Sequence, residues 1–171
     1  IGQGADTAFS QMTAEVLNMD ISEIHIQSVQ DTDVTPFDTG AYASRQSFVT
    51  GTVVKDCANL LKEKILAYAR QLMPEETREL SLDHGWIMAG EDQAMSLANL
   101  ALESYYSLTN SSVLTAEVSE QVKKNTIATG CCFAEVEVDI ELGKIKILHI
   151  INVHDSGKLI NPKLAEMQVH G

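Results

Sequence analysis

Three stretches of this chain combine residue types that can hold an anion. Gly2-Gln3-Gly4 stands directly before an apolar-periodic segment. Glycines let a backbone approach a ligand closely, and the free amides of a helix start favour negative charge. Gly40-Ala41-Tyr42-Ala43-Ser44-Arg45-Gln46-Ser47 offers small residues, hydroxyls, a guanidinium and a second set of helix-start amides. These are the parts that bind a phosphate or pyrophosphate. The same stretch also suits a plain polar cap, with Ser44 or Ser47 closing the helix. The third stretch is His154-Asp155-Ser156-Gly157, then Asn161-Pro162, then Gln168-Val169-His170-Gly171. An aspartate at a strand end bonds the amides of a Ser-Gly turn, so Asp155 reads as structural.

Other chemistries are disfavoured by what is absent. No Gly-x-x-x-x-Gly-Lys run exists for a P-loop, and no Gly-x-Ser-x-Gly elbow for a hydrolase. The 3 cysteines, Cys57, Cys131 and Cys132, form no C-x-x-C pair, and the 5 histidines show no H-x-H or H-x-x-x-H spacing. A metal or iron–sulfur cluster ligated by this chain alone is therefore not expected. An odd cysteine count with two adjacent is no disulfide framework and points to a reducing, cytoplasmic compartment. Lys plus Arg is 12 and Asp plus Glu is 24, a net charge of −12. That balance argues against a nucleic-acid partner or an anionic membrane surface. No apolar run reaches the roughly 18 residues of a membrane span.

The elements that must position these residues follow from periodicity. Ala5, Ala8, Phe9, Met12, Val16 and Leu17 fall at helical spacing, and 24–29 alternates as a strand. Residues 31–51 read as a long functional loop. Val53, Val54, Cys57, Leu60, Leu61, Ile65, Tyr68, Ala69 and Leu72 form one helical stripe, ended by Pro74. A strand over 82–88, a helix over 91–107 and an irregular insertion over 107–128 follow. Residues 134–147 predict a hairpin about a Leu142-Gly143 turn, pairing Glu141 with Lys144, Asp139 with Lys146, Ile140 with Ile145 and Val138 with Ile147. Its Val136, Val138, Ile145 and Ile147 are expected to be buried. The apolar run 147–153 predicts cover on both faces. Asn161-Pro162 opens a last helix. The class expected is α+β, with helices packed on mixed sheets and two lobes, 1–75 and 76–171. The absence of an initial Met, and an end within a helix, predict a piece of a longer polypeptide or one part of a split one.

Taken in order, Gly2-Gln3-Gly4 with Thr7, Asp38 through Arg45, Phe133 through Asp139, Gly143-Lys144-Ile145, His154 through Gly157, Asn161-Pro162 and Gln168 through Gly171 carry a resemblance. The chain resembles the molybdenum-cofactor-binding subunit of the xanthine dehydrogenase/aldehyde oxidase family, over nearly its whole length except the insertion. The resemblance implies a fragment of a molybdenum hydroxylase that clasps molybdopterin, in the cytosine dinucleotide form, with molybdenum held by the cofactor rather than by side chains. It implies oxidative hydroxylation of a purine or other N-heteroaromatic substrate. Electrons would leave through [2Fe-2S] clusters and FAD on an iron–sulfur subunit and a FAD subunit. Carried over by position, the cofactor-binding residues are Gly2, Gln3, Gly4, Ala43, Ser44, Arg45, Gln46, Ser47 and Gln168. Backbone amides of the 43–47 loop are the main donors. The catalytic general-base glutamate is expected beyond the C-terminus, so the isolated chain is expected to be inactive and to need the remainder of its subunit. The alternatives are a non-catalytic cofactor carrier or insertion protein, and an α+β interaction domain with no ligand.

Overall fold

The computed structural model describes residues 2–28, 31–33, 35, 37–124 and 126–171. They fall into two units, Ile1–Lys124 and Asn125–Gly171.

In the first unit, helix α1 spans Ala5–Leu17 and buries Ala8, Ala14 and Leu17. It stops at Asn18, in the left-handed region (φ 51°), whose amide returns to the carbonyls of Ala14 and Glu15. Helix α2 spans Gln46–Leu72, about 40 Å long at 1.5 Å per residue. Its buried residues Gly51, Ala58 and Ile65 recur at sevens, with Tyr68 and Ala69 beyond them. Gly51 is small for a reason. A Cβ there would lie 2.7 Å from Cε and 2.9 Å from Sδ of Met12, so its missing side chain lets α1 lie close on α2. Lys62 Nζ donates to the Val16 carbonyl at 2.9 Å. Contacts therefore advance together, 12 with 51 and 16 with 62, so the two helices run in the same sense.

Three short strands follow: β1 (Leu80–Asp83), β2 (Trp86–Ala89) and β3 (Asp92–Ser96), paired antiparallel in chain order. The β1–β2 turn is His84-Gly85, both at positive φ (44° and 78°), the two-residue geometry that matches strand twist. Ser96 then caps α3 (Leu97–Tyr106), its Oγ accepting from the Asn99 amide at 3.2 Å. Leu80, Leu82, Ile87 and Ala89 point from the sheet into one core with Leu17, Ile65, Tyr68, Ala69 and Leu100. Residues 107–124 have no regular structure, yet they are pinned. Lys64 Nζ donates to the Thr115 carbonyl (2.7 Å) and the Cys57 thiol to the Ala116 carbonyl (3.4 Å).

In the second unit, β4 (Thr129–Asp139) and β5 (Lys144–Asp155) form a long antiparallel hairpin, followed by α4 (Pro162–His170). Asn161 caps α4 through Oδ1, 3.1 Å from the Leu164 amide.

The class is α+β, but both sheets are antiparallel rather than mixed, because short turns connect their strands. The division expected near residue 75 falls inside a core shared by α2 and β1–β3, and the units instead divide between 124 and 125. The hairpin register also differs from expectation. Asp139 pairs with Lys144, Val138 with Ile145, Glu137 with Lys146 and Val136 with Ile147. The turn is Ile140–Gly143, four residues long, because Asp139 Oδ1 accepts from the amides of Glu141 (3.1 Å) and Leu142 (3.0 Å), with Gly143 at φ 63°. Two-residue slippage keeps every side chain on its face, so the apolar set stays together. That set is half exposed rather than buried, Val138 at 50% for instance, and 147–153 is likewise exposed. Residues 24–28 form no strand, and Val29 lies outside the described residues. The long loop ends at Arg45 rather than 51, since α2 starts earlier. The strand expected over 82–88 is two strands around His84-Gly85, and the helix expected from 91 begins only at Leu97, after β3.

Candidate functional site: the start of α2

The loop ahead of α2 is organised by one carboxylate. Asp38 Oδ1 accepts from the Gly40 amide (3.1 Å) and from Arg45 Nη1 (3.1 Å). The same Nη1 donates to the Gly40 carbonyl at 2.9 Å. The guanidinium lies over the Tyr42 ring, 5.3 Å from its centroid, and the Arg45 amide donates to the Tyr42 carbonyl at 3.1 Å. The Gly40 amide, and after it Arg45, hold the Asp38 carboxyl below the usual carboxylate range.

Between these anchors, Ala43 and Ser44 both sit in the left-handed region, at φ 50° and 55°. With the Arg45 amide on the Tyr42 carbonyl, they form the centre of a two-residue turn whose left-handed positions favour asparagine or glycine, so alanine and serine there are strained. Arg45 is the N-cap of α2, yet no side chain caps the helix, so the Ser44 or Ser47 cap does not form. The first helical bond joins the Val49 amide to the Arg45 carbonyl at 2.7 Å, leaving the amides of Gln46, Ser47 and Phe48 without helical partners. The first turn contains no acidic residue. The positive end of α2 is thus uncompensated by its own sequence.

Gln46 adds a second sign. Its Oε1 is buried and has no hydrogen-bond partner, as is Oε1 of Gln3. A side-chain amide offers an acceptor and two donors, and leaving it unpaired in the interior is costly unless a ligand completes it. Because α1 and α2 run in the same sense, Gln3 and Gly4 at the start of α1 lie toward the same end of the helix pair as 43–47. The two starts are not equivalent. Gly4 leads into α1 at φ 86°, but Asp6 occupies its first turn and takes a bond from Ser28 Oγ at 3.1 Å. The negative charge that α1 favours is its own; at α2 that place is open. These features fit a phosphate-bearing cofactor.

Gln168 lies exposed on α4, in the second unit. Asp155 Oδ1 accepts from the Gly157 amide at 3.0 Å, the structural turn expected. A shallow cleft of about 600 Å³ lies in the second unit, lined by Ile150, Asn152, His154, Glu166, Val169 and His170; His154, Val169 and His170 belong to the third candidate stretch, but none is among the residues carried over as cofactor-binding. Among the described residues, no group of three or more His, Cys, Asp or Glu is arranged to hold a metal ion, and no helix is long and apolar enough to cross a membrane. Sequence reasoning missed Asp38 as a member of the site. Its signal was the Asp-x-Gly spacing of an Asx turn seven residues before an arginine.

Comparison with known proteins agrees on one lineage. A family model described as the molybdopterin cofactor-binding domain matches residues 1–171. The chain is 48% identical to the xanthine dehydrogenase molybdenum-binding subunit of Escherichia coli O157:H7, covering 100% of this chain and 23% of that protein. It is 27% identical to the carbon monoxide dehydrogenase large chain of Afipia carboxidovorans, covering 99% and 21%. The chain therefore spans less than a quarter of the length of these relatives. Its fold is similar to that of quinoline 2-oxidoreductase from Pseudomonas putida 86, with a TM-score of 0.79 at 24% identity, over 98% of this chain and 22% of the other.

Proposed function

The chain belongs to the molybdopterin cofactor-binding domain family, and from that membership we propose that it is the cofactor-clasping part of a xanthine-dehydrogenase-like molybdenum hydroxylase. The open start of α2 behind the Ala43-Ser44 bend is the observation that carries this reading. The amides of Gln46, Ser47 and Phe48 receive a phosphate of the cofactor, in its cytosine dinucleotide form. The buried side-chain oxygens of Gln46 and Gln3 complete polar edges of the same ligand, with Gly2 and Gly4 permitting close approach. When bound, the group supplies the molybdenum chemistry of oxidative hydroxylation, while the protein binds and orients it. The substrate is a purine or another N-heteroaromatic. Partner subunits would hold the [2Fe-2S] clusters and FAD that accept the electrons, in the cytoplasm. The identity to a xanthine dehydrogenase subunit favours the purine class over aldehydes.

The test is Ala43→Trp in the full-length subunit, assembled with its partners. Ala43 is exposed at the mouth of the loop, so an indole there blocks the ligand without entering the core. Molybdenum per subunit, measured by plasma mass spectrometry, and cytidine nucleotide released by acid should both fall to near zero while the assembled complex persists. Normal content of either would overturn the assignment.

A further inference from the structure

We propose that Asp38 is a positioning residue of this site, and that Arg45 is the strut through which it acts rather than a ligand of the anion. The inference rests on the cofactor reading above and goes beyond it, because a lone arginine beside a phosphate loop is otherwise the natural phosphate contact.

The geometry assigns Arg45 elsewhere. Its Nη1 is spent on two acceptors, Asp38 Oδ1 and the Gly40 carbonyl, both behind the helix start. Its side chain is only 25% exposed, against 49% for Asp38. One face of its guanidinium lies over the Tyr42 ring. Asp38 in turn fixes the Gly40 amide, and the Arg45 amide closes on Tyr42. Segment 38–45 is thereby tied into a ring at both ends.

Within that ring sit Ala43 and Ser44, in a conformation that L residues adopt rarely. The Arg45 amide on the Tyr42 carbonyl closes that bend locally, but alanine and serine suit two left-handed positions poorly and neither serine caps α2, so the surrounding ring supports it. Held this way, the peptide groups ahead of α2 are turned aside and the three free amides stay open. The charges agree. An unpaired carboxylate on this loop would repel a phosphate at the helix start, and an unpaired guanidinium would compete with the amides for it. Paired, they cancel, and the anion meets only backbone dipoles.

The two roles of Arg45 predict opposite signs for one substitution. If Arg45 is a ligand held back by Asp38, Asp38→Asn frees it and cofactor retention rises or stays level. If Arg45 is a strut, Asp38→Asn slackens the ring and retention falls. Asparagine keeps an oxygen for the Gly40 amide, so the variant removes the ion pair with little else.

The experiment follows loss of molybdenum during dialysis of the full-length subunit in its assembled complex. Asp38→Asn and Arg45→Met should each lose it roughly tenfold faster than the parent. The double variant should be no worse than either, because both break one ring. Arg45→Lys, whose ammonium carries three donors on one nitrogen and so can serve both acceptors, should restore retention to within about twofold of the parent. Thermal midpoints of the four cofactor-free variants should match the parent's, which a general structural defect would not allow. Retention at or above the parent level in Asp38→Asn, additive losses in the double variant, or no rescue by Arg45→Lys would each overturn the proposal. Ala43→Trp separates the two levels. Its normal molybdenum content would remove the cofactor reading itself. Its loss alongside an unaffected Asp38→Asn would remove only the strut.

Discussion

Replacing Gln46 with leucine should move stability and ligand retention in opposite directions, and that divergence distinguishes a binding residue from a structural one. The Gln46 side chain is partly buried and its Oε1 has no partner. An unsatisfied polar group in the interior costs about 1–3 kcal/mol. Gln46 retains some exposure, so the lower end, ~1 kcal/mol, applies. Leucine has nearly the same length, an equal or better helix propensity, and no polar atom to leave unpaired. The cofactor-free subunit should therefore gain ~1 kcal/mol locally at the start of α2. Hydrogen exchange read by mass spectrometry over 46–60 would report this as roughly fivefold stronger protection. Once the ligand is bound, the same change deletes a polar contact, and molybdenum should dissociate roughly tenfold faster. Weaker protection in the cofactor-free Gln46→Leu protein would show that the amide has a partner within the chain. Unchanged dissociation would show that no ligand reaches it. Either result refutes the reasoning.

Two further expectations concern the scaffold. Tyr68 is 3% exposed and its hydroxyl has no partner, so Tyr68→Phe should leave the urea midpoint of the full-length cofactor-free subunit unchanged or raise stability by up to about 1 kcal/mol, whereas Tyr68→Ala should cost about 3–5 kcal/mol; a clear loss in the phenylalanine variant would reveal a missing partner for the hydroxyl. Glu76 is bonded by the Arg78 side chain, with Arg78 also on Asp92 at 2.7 Å, and its carboxyl is pulled from 4.5 to about 2. A depressed folded value means that its contribution is complete above the unfolded value and is lost as pH falls through the folded one, so Glu76→Gln should flatten the acid decline of stability between about 4.5 and 2, and an unaltered slope in that window would show the ion pair to be idle.

Local chemistry wrote much of this protein directly. The helical spacing of Ala5 through Leu17 and of Val53 through Leu72 required helices, because only a 3.6-residue period gathers those apolar residues on one side. Pro74 had to end α2, and Asn161-Pro162 had to open α4, since a side-chain acceptor and a residue without an amide suit a helix start. The anion-site candidates were legible for the same reason, glycines and small residues standing beside helix-start amides, and their ordered set carried the family resemblance. What the chain alone left open was decided partly by partners distant in sequence and partly by turn geometry that periodicity does not carry. Residues 24–28 alternate like a strand, but a strand exists only where a neighbour supplies its ladder. The stretch 82–88 read as one strand until the positive φ at His84 and Gly85 folded it in two. The hairpin register turned on Asp139 capturing two turn amides, a bond that charge and apolar pairing do not encode. The state of the site was decided in the same way. Whether Ser44 or Ser47 capped α2, whether Gln46 found a partner, and whether Arg45 faced the helix start or Asp38 were all settled by where the loop and the two parallel helices come together. Side chains of one composition can satisfy one another or wait for a ligand, and only their packed arrangement distinguishes the two.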